Sequence, residues 1–248
     1  MHRTSHIEWT HATWNPVTGC SKVSAGCAHC YAERMAKRLQ AMGSPRYRQG
    51  FRVTLHADDF RKPTHWRKPR IIFVNSMSDM FHEQVPLSFI QRVFSIMTQC
   101  PQHIFQVLTK RSERMRELSP RLPCPDSLWM GVTVESNRYF SRIDDLRAIP
   151  AAVRFLSCEP LLSALDGIDL ADIDWVIAGG ESGPKARCMK PDWVRGLRDD
   201  CCRQGAAFFF KQWGGTRRRA TGRHLDGRLY SEVPPQLAVH DPQLSLGL

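Results

Sequence analysis

An α/β fold with parallel strands, in the form of a partial or complete TIM-like (β/α) barrel, is predicted by three observations. From Ile71 onward, short apolar runs alternate with helix-compatible stretches, the pattern of successive β-α units. The runs are largely apolar rather than strictly alternating, as strands buried on both faces are. Polar or ionisable residues follow one run after another, and a βα barrel builds its site from such strand ends. An open doubly wound sheet is the other architecture of this kind, but no G-x-G-x-x-G follows a first strand.

In chain order, residues 7–14 (IEWTHATW) are rich in aromatic and β-branched side chains and predict the first strand. The stretch 14–35, WNPVTGCSKVSAGCAHCYAERM, then carries Cys20, Cys27 and Cys30 in a C-x6-C-x2-C arrangement on a loop of Gly, Ser and Pro. Residues 31–42 are good helix formers. Residues 43–70 form an insertion broken by Pro45, Pro63 and Pro69. Across 34–70 eleven Lys and Arg face only Asp58 and Asp59, a balance of +9, with Tyr47, Phe51, Phe60 and Trp66 interleaved. Such mixing suits phosphate contacts beside base-stacking rings, and equally a basic surface with aromatics packed beneath it.

Strands are predicted at 71–75, 103–108, 128–134, 153–157, 175–179 and 206–210, and helices at 87–99, 112–118, 138–149 and 192–204. With the first strand this makes seven. Behind the later six stand Asn75, Ser76 and Asp79; Thr109, Lys110 and Arg111; Glu135 and Asn137; Cys158 and Glu159; Gly180, Glu181 and Ser182; Lys211 and Gln212. One such residue is usually a cap or turn; six consecutive sets point to a site. Residues 1–215 are expected to form the barrel domain, and 216–248 a basic, Pro-containing tail with Arg217, Arg218, Arg219, Arg223 and Arg228.

Apolar content of 42% and charged content of 24% are ordinary for a globular chain. The first residues, MHRTSHIEWT, lack the apolar core of a signal, and no apolar run is long enough to span a membrane, so a cytoplasmic protein is expected. Nine cysteines, an odd number, then fit metal ligands plus thiols better than a disulfide framework. The net charge of +11 favours a polyanionic partner, nucleic acid first.

Three cysteines on one loop are informative because structural zinc and ordinary iron–sulfur centres take four protein ligands, and three leave a metal position open for chemistry. The residues alone also allow a Cys27/Cys30 redox dithiol, or a zinc site closed by His29 or a distant cysteine.

Together with NSMSDMF (75–81), LTKR (108–111), CEPLL (158–162), GGESG (179–183) and FFKQWG (209–214), this loop resembles an uncharacterised, phage-associated family within or beside the radical S-adenosylmethionine (SAM) enzymes. The resemblance runs over most of residues 5–215, with a first cysteine gap three residues longer than the commonest C-x3-C-x2-C. It implies a [4Fe–4S] cluster on Cys20, Cys27 and Cys30, and SAM on the open iron. It further implies an electron donor and reductive cleavage of SAM to methionine and a 5′-deoxyadenosyl radical. Ser76, Ser78 and Asp79 would meet the SAM amino group, Lys110 or Arg111 its carboxylate, and Glu135 or Asn137 the ribose. The backbone at Gly179 and Gly180, with Glu181 alongside, would approach the adenine. Cys158, as a hydrogen-atom donor, and Glu159 are the catalytic candidates.

The expected substrate is a nucleic acid, modified or repaired, held by Arg46, Arg48, Arg52, Arg61, Lys62, Trp66, Arg67 and Lys68. Two other readings compete: a zinc- or cluster-stabilised nucleic-acid-binding protein without catalysis, and a radical enzyme acting on a protein or small molecule.

Overall fold

The computed structural model describes residues 7, 9–216 and 221–240; Arg217, Arg218 and Arg219 of the expected basic tail lie outside them. Seven parallel strands form one sheet in the order β1 (Ala12–Trp14), β4 (Ile71–Val74), β5 (Ile104–Thr109), β6 (Leu128–Thr133), β7 (Val153–Cys158), β8 (Trp175–Gly179) and β9 (Ala207–Gln212). Sequential parallel order, with helical crossovers everywhere but between β7 and β8, is that of a partial TIM-like barrel. β4, β6 and β8 are buried at every position, the two-sided burial that their unbroken apolar runs predict. Helices α1 (Tyr31–Ala41), α2 (Leu87–Thr98), α3 (Ser112–Leu118), α4 (Ser141–Arg147) and α5 (Pro191–Gln204) match the expected ones, α4 being the most shortened. α2 buries Ile90, Val93, Phe94, Ile96 and Met97, a stripe at helical spacing. α5 opens on Pro191 and ends at Gly205, whose φ of 79° is the left-handed turn that glycine adopts freely.

The chain divides into two compact units. The first comprises the chain up to Ser24, Cys30–Met130 and Ala148–Ala152. The first strand is shorter than predicted: only Ala12–Trp14 pair with β4, while Trp9, buried edge-on against Phe73, is core without being strand. A small antiparallel ribbon, β2 (Val17–Thr18) with β3 (Thr54–Leu55), ties the cysteine loop to the insertion. Its two-residue strands leave no periodicity to read. The remaining insertion folds as single 3-10 turns at Pro45–Tyr47, Ala57–Asp59 and Pro63–His65.

The second unit comprises Ala25–His29, Gly131–Arg147 and the chain from Val153. Part of the expected tail belongs to it: β10 (His224–Leu225) and β11 (Arg228–Leu229) form a hairpin, followed by α6 (Pro235–His240). Phe210 N–H donates to Tyr230 O at 3.0 Å and Glu232 N–H to Phe208 O at 3.1 Å, so this segment runs along β9. Leu225 and Leu237 are fully buried. Backbone pairing, rather than side-chain pattern, recruits the segment, which is why composition suggests a tail. Among the described residues no helix is long and apolar enough to cross a membrane.

Candidate functional site

In the first unit the strand-end residues converge on the start of the cysteine loop. Asn75, at a positive φ of 60°, turns the chain out of β4 and accepts from Val17 N–H through Oδ1. Ser76 donates to Asn15 Oδ1 and Ser78 to Val17 O, and Gly19 N–H donates to Met77 O at 3.0 Å. The 76–79 turn is therefore laced to 15–19. Cys30, at the N-cap of α1, packs on the cluster of Ala32, Ala36, Tyr47 and Met77. A helix N-terminus favours negative charge beside it.

Asp79 is buried, and its two oxygens accept four hydrogen bonds: Phe81 N–H (3.0 Å) and Thr109 Oγ1 (2.7 Å) on Oδ1, Lys110 N–H (3.1 Å) and Arg111 Nη1 (3.3 Å) on Oδ2. A carboxylate offers about four lone-pair positions, and each of these has a donor within the protein. Arg111 is likewise committed. It donates to Glu83 Oε1 (2.9 Å), Ser21 Oγ (2.8 Å), Ser21 O (3.3 Å) and the Cys20 sulfur (3.4 Å). Burial alone would lower its pKa; Asp79, Glu83 and Cys20 outweigh that and hold it above the ordinary value. These contacts grip the beginning of the loop. Lys110 contributes its backbone N–H to the same carboxylate.

In the second unit a different set holds the turn Ala25–His29. Ala25 N–H donates to Tyr139 Oη (3.3 Å), and Arg187 Nη2 donates to Ala25 O (3.0 Å). A Cβ on Gly26 would stand 2.4 Å from Glu135 Oε1, so only glycine permits this approach. Glu135 has no exposed surface, accepts from Arg142 Nη1 at 2.8 Å and is packed by Gly26 rather than open to a ribose. Asn137 is exposed on the turn that follows.

Glu181 accepts from His29 Nδ1 (3.0 Å), Arg187 N–H and Nε (both 3.0 Å) and Arg187 Nη2 (2.5 Å). Burial would raise its pKa, but Arg187 and His29 overcome it and hold the carboxyl at about 2. An ionised carboxylate only accepts, so His29 donates through Nδ1–H, and in the neutral tautomer with that proton the lone pair lies on Nε2.

Glu159 Oε2 lies 3.0 Å from Lys211 Nζ, joining the ends of β7 and β9. The glycines beside them serve the protein's own packing. A Cβ on Gly179 would meet Glu159 Oε1 at 2.3 Å and one on Gly180 the Trp213 carbonyl at 1.9 Å. Cys158 is fully buried, and burial pushes its thiol well above the ordinary range.

The donor chemistry of Cys20, Cys27 and Cys30 fits an iron–sulfur or zinc centre: all three are partly exposed, and none is disulfide-bonded. Among the described residues no three His, Cys, Asp or Glu side chains are gathered in ligand geometry.

Of the basic segment, Arg48, Arg52, Arg61, Lys62, Arg67 and Lys68 are exposed. Arg46 is not available in the same way, because it pairs with Asp59 (3.1 Å) and donates to Asn15 O. Tyr47 and Phe60 are buried, so of the two readings open for them they take the one packed beneath the basic surface. Trp66 is half-buried, with the Arg70 guanidinium 5.3 Å above its ring and His103 edge-on at 6.1 Å. An open cleft of ≈ 830 Å³ joins this segment to the loop, lined by Cys20, Ser21, Phe51, Arg52, His82 and Glu83 among others.

Arg187, Arg142, Tyr139 and Glu83 went unnoticed in the sequence. They follow no strand directly, and their partners lie in segments joined only by folding; no local signal marks them.

No curated protein matches the chain at a significant level. Among solved structures it is similar to a spore photoproduct lyase in which one cysteine is replaced by serine (14% identity, TM-score 0.48, covering 76% of this chain and 60% of that one). It is also similar to a doubly substituted spore photoproduct lyase with bound AdoMet and dinucleoside spore photoproduct (13%, TM-score 0.45, 75% and 59%). The chain thus spans about three-fifths of those structures' length. Likeness of this degree decides neither substrate nor reaction. A family model, in contrast, takes in residues 4–234, from before the first strand through the cysteine loop to the segment paired with β9, and by that match the chain belongs to the family described as protein of unknown function DUF5131.

Proposed function

We propose that this protein is a radical-SAM-type iron–sulfur enzyme acting on nucleic acid by modification or lesion repair, with Cys20, Cys27 and Cys30 as cluster ligands. The observation that carries the proposal is the investment of the fold in the loop. Arg111 and the 76–79 turn hold its beginning, Glu135, Tyr139 and Arg187 hold its middle, and Cys30 stands at the N-cap position of α1. Buried charge spent on positioning a partly exposed thiol loop is what a reactive metal centre requires and a surface turn does not. With cluster and SAM bound, the centre would supply reductive cleavage of SAM.

The protein's own contribution is placement. Ser76 and Ser78 shape the turn beside the loop, Lys110 gives Asp79 its backbone N–H at the end of β5, and Glu159 with Lys211 forms a polar pair suited to substrate contact. The exposed Arg48, Arg52, Arg61, Lys62, Arg67 and Lys68 supply backbone phosphate contacts, and the cleft from Arg52 to Cys20 gives a strand access to the loop.

One observation favours a second reading. A carboxylate-oriented histidine with Nε2 left as the lone-pair nitrogen is a frequent zinc-ligand arrangement, and His29 sits in the Cys27-Ala28-His29-Cys30 run. A single preparation separates the two. Anaerobic reconstitution should yield about four irons with broad thiolate-to-iron absorbance, and reduction with SAM should release 5′-deoxyadenosine. Stoichiometric zinc with no iron uptake would instead establish the second reading, and absence of DNA and RNA binding at low salt would remove the nucleic-acid substrate.

A further inference from the structure

Arg111 stands out among the groups at the strand ends because its contacts run both ways. On one side its guanidinium is anchored to Asp79 at 3.3 Å, itself fixed by Thr109 Oγ1, which also accepts from Arg111 N–H at 2.9 Å. On the other side it reaches Cys20 Sγ at 3.4 Å and both oxygens of Ser21, with Ser21 Oγ set 2.8 Å from His82 Nε2. The side chain is only 5% exposed, so its charge is weakly screened by water. Its second acidic partner, Glu83, is 63% exposed and neutralises it less than a buried carboxylate would.

We propose that Arg111 is the positioning residue of the cysteine loop, fixing Cys20 and placing a buried positive charge on the sulfur that binds the metal. Resting on the iron–sulfur reading above, this assigns Arg111 to the metal's surroundings rather than to the SAM carboxylate. A positive charge beside a metal thiolate favours the more negative, reduced state of the centre. It therefore moves the reduction potential upward, as hydrogen bonds and charges at cluster sulfurs do.

The test uses the full chain and two variants, with anaerobic redox titration of the reconstituted centre and hydrogen exchange of the metal-free protein. R111Q is expected to shift the midpoint to a more negative potential, and E83Q, which removes the countercharge at an exposed site, to a more positive one. A purely structural role for Arg111 gives no such opposed pair. In metal-free protein the peptide containing residues 19–24 should exchange about tenfold faster in R111Q, the loss of roughly one charge-assisted hydrogen bond. Unchanged potentials in both variants, or shifts of the same sign, overturn the electrostatic assignment, and unchanged exchange overturns the positioning. If R111Q does not fold, E83Q still decides the charge effect. If the parent takes up no iron, the iron–sulfur reading fails while hydrogen exchange continues to test the grip on the loop.

Discussion

Replacing Glu181 with Gln gives a prediction whose size can be worked from the structure. The carboxylate is 4% exposed at its side chain and receives three hydrogen bonds from Arg187 and one from His29. Its pKa of about 2 in the folded protein compares with about 4.3 in an unfolded chain. At 1.36 kcal/mol per unit this difference is worth ~3 kcal/mol; Arg187, 36% exposed, is partly screened, so ~2 kcal/mol is the better expectation. Because the folded pKa is depressed, the stabilisation is fully present above the unfolded value and is lost as pH falls toward the folded one. About half should be gone at pH ~3.

The assay is urea unfolding of parent and E181Q at pH 6.5 and at pH 3, read as the difference between the two proteins at each pH. Other titrating carboxylates cancel in that difference. The gap should be ~2 kcal/mol at the higher pH and roughly 1 kcal/mol at the lower. A gap independent of pH would refute the claim that an ionised Glu181 anchors Arg187 and His29. A gap that widened in acid would reverse its sign and exclude it outright.

Asp79→Ala is expected to cost ~3–5 kcal/mol, because it leaves Arg111 buried without its buried carboxylate partner, and iron retention should fall with it; normal melting with only SAM binding lost would return Asp79 to the cofactor. Arg48→Ala with Arg52→Ala should reduce the log–log salt slope of nucleic-acid binding by roughly 1.4 to 1.8, two phosphates' worth. Trp66→Ala should lower stability by ~1–2 kcal/mol and leave that slope unchanged, since its ring packs with Arg70 and His103; denaturation and filter binding on the same variant check both.

The central strands were legible because they are apolar runs buried on two faces: Trp175–Gly179 needs only its own five letters. The ribbon Val17–Thr18 with Thr54–Leu55 was not, because two residues carry no period and its partners are far apart in the chain, Thr18 pairing with Thr54. The site divides the same way. That the strand ends would carry polar and charged side chains was readable; that Asp79 and Glu181 would pair with neighbouring arginines was not. Charge partners chosen across a fold depend on which loops meet, and Arg187 differs from any exposed arginine in nothing that precedes folding. For the aromatics of the insertion the sequence left two readings open, and the burial of Tyr47 and Phe60 selects rings packed beneath the basic surface.

Gly179 and Gly180 allow the strand-end pair to be tested apart from the fold, since adjacent methyl groups would strike different things. On Gly180 a Cβ meets the Trp213 carbonyl at 1.9 Å, in backbone fixed by the Gly180 N–H to Gln212 O bond of 2.9 Å. Neither partner can rotate away, so Gly180→Ala should reach the upper end of overpacking costs, ~3 kcal/mol, and lower Tm by roughly 6–12 °C for a chain of this size. On Gly179 the Cβ meets the end of the Glu159 side chain at 2.3 Å, which can swing aside. The swing breaks the 3.0 Å contact with Lys211, a half-buried pair worth ~1 kcal/mol, so Gly179→Ala should melt within ~4 °C of the parent. If Glu159 and Lys211 act on substrate, Gly179→Ala should match Glu159→Gln in lost turnover while remaining folded. Equal melting losses in the two alanine variants would mean that Glu159 is wedged rather than mobile. A fully active Gly179→Ala would leave the pair a strut between β7 and β9 and nothing more.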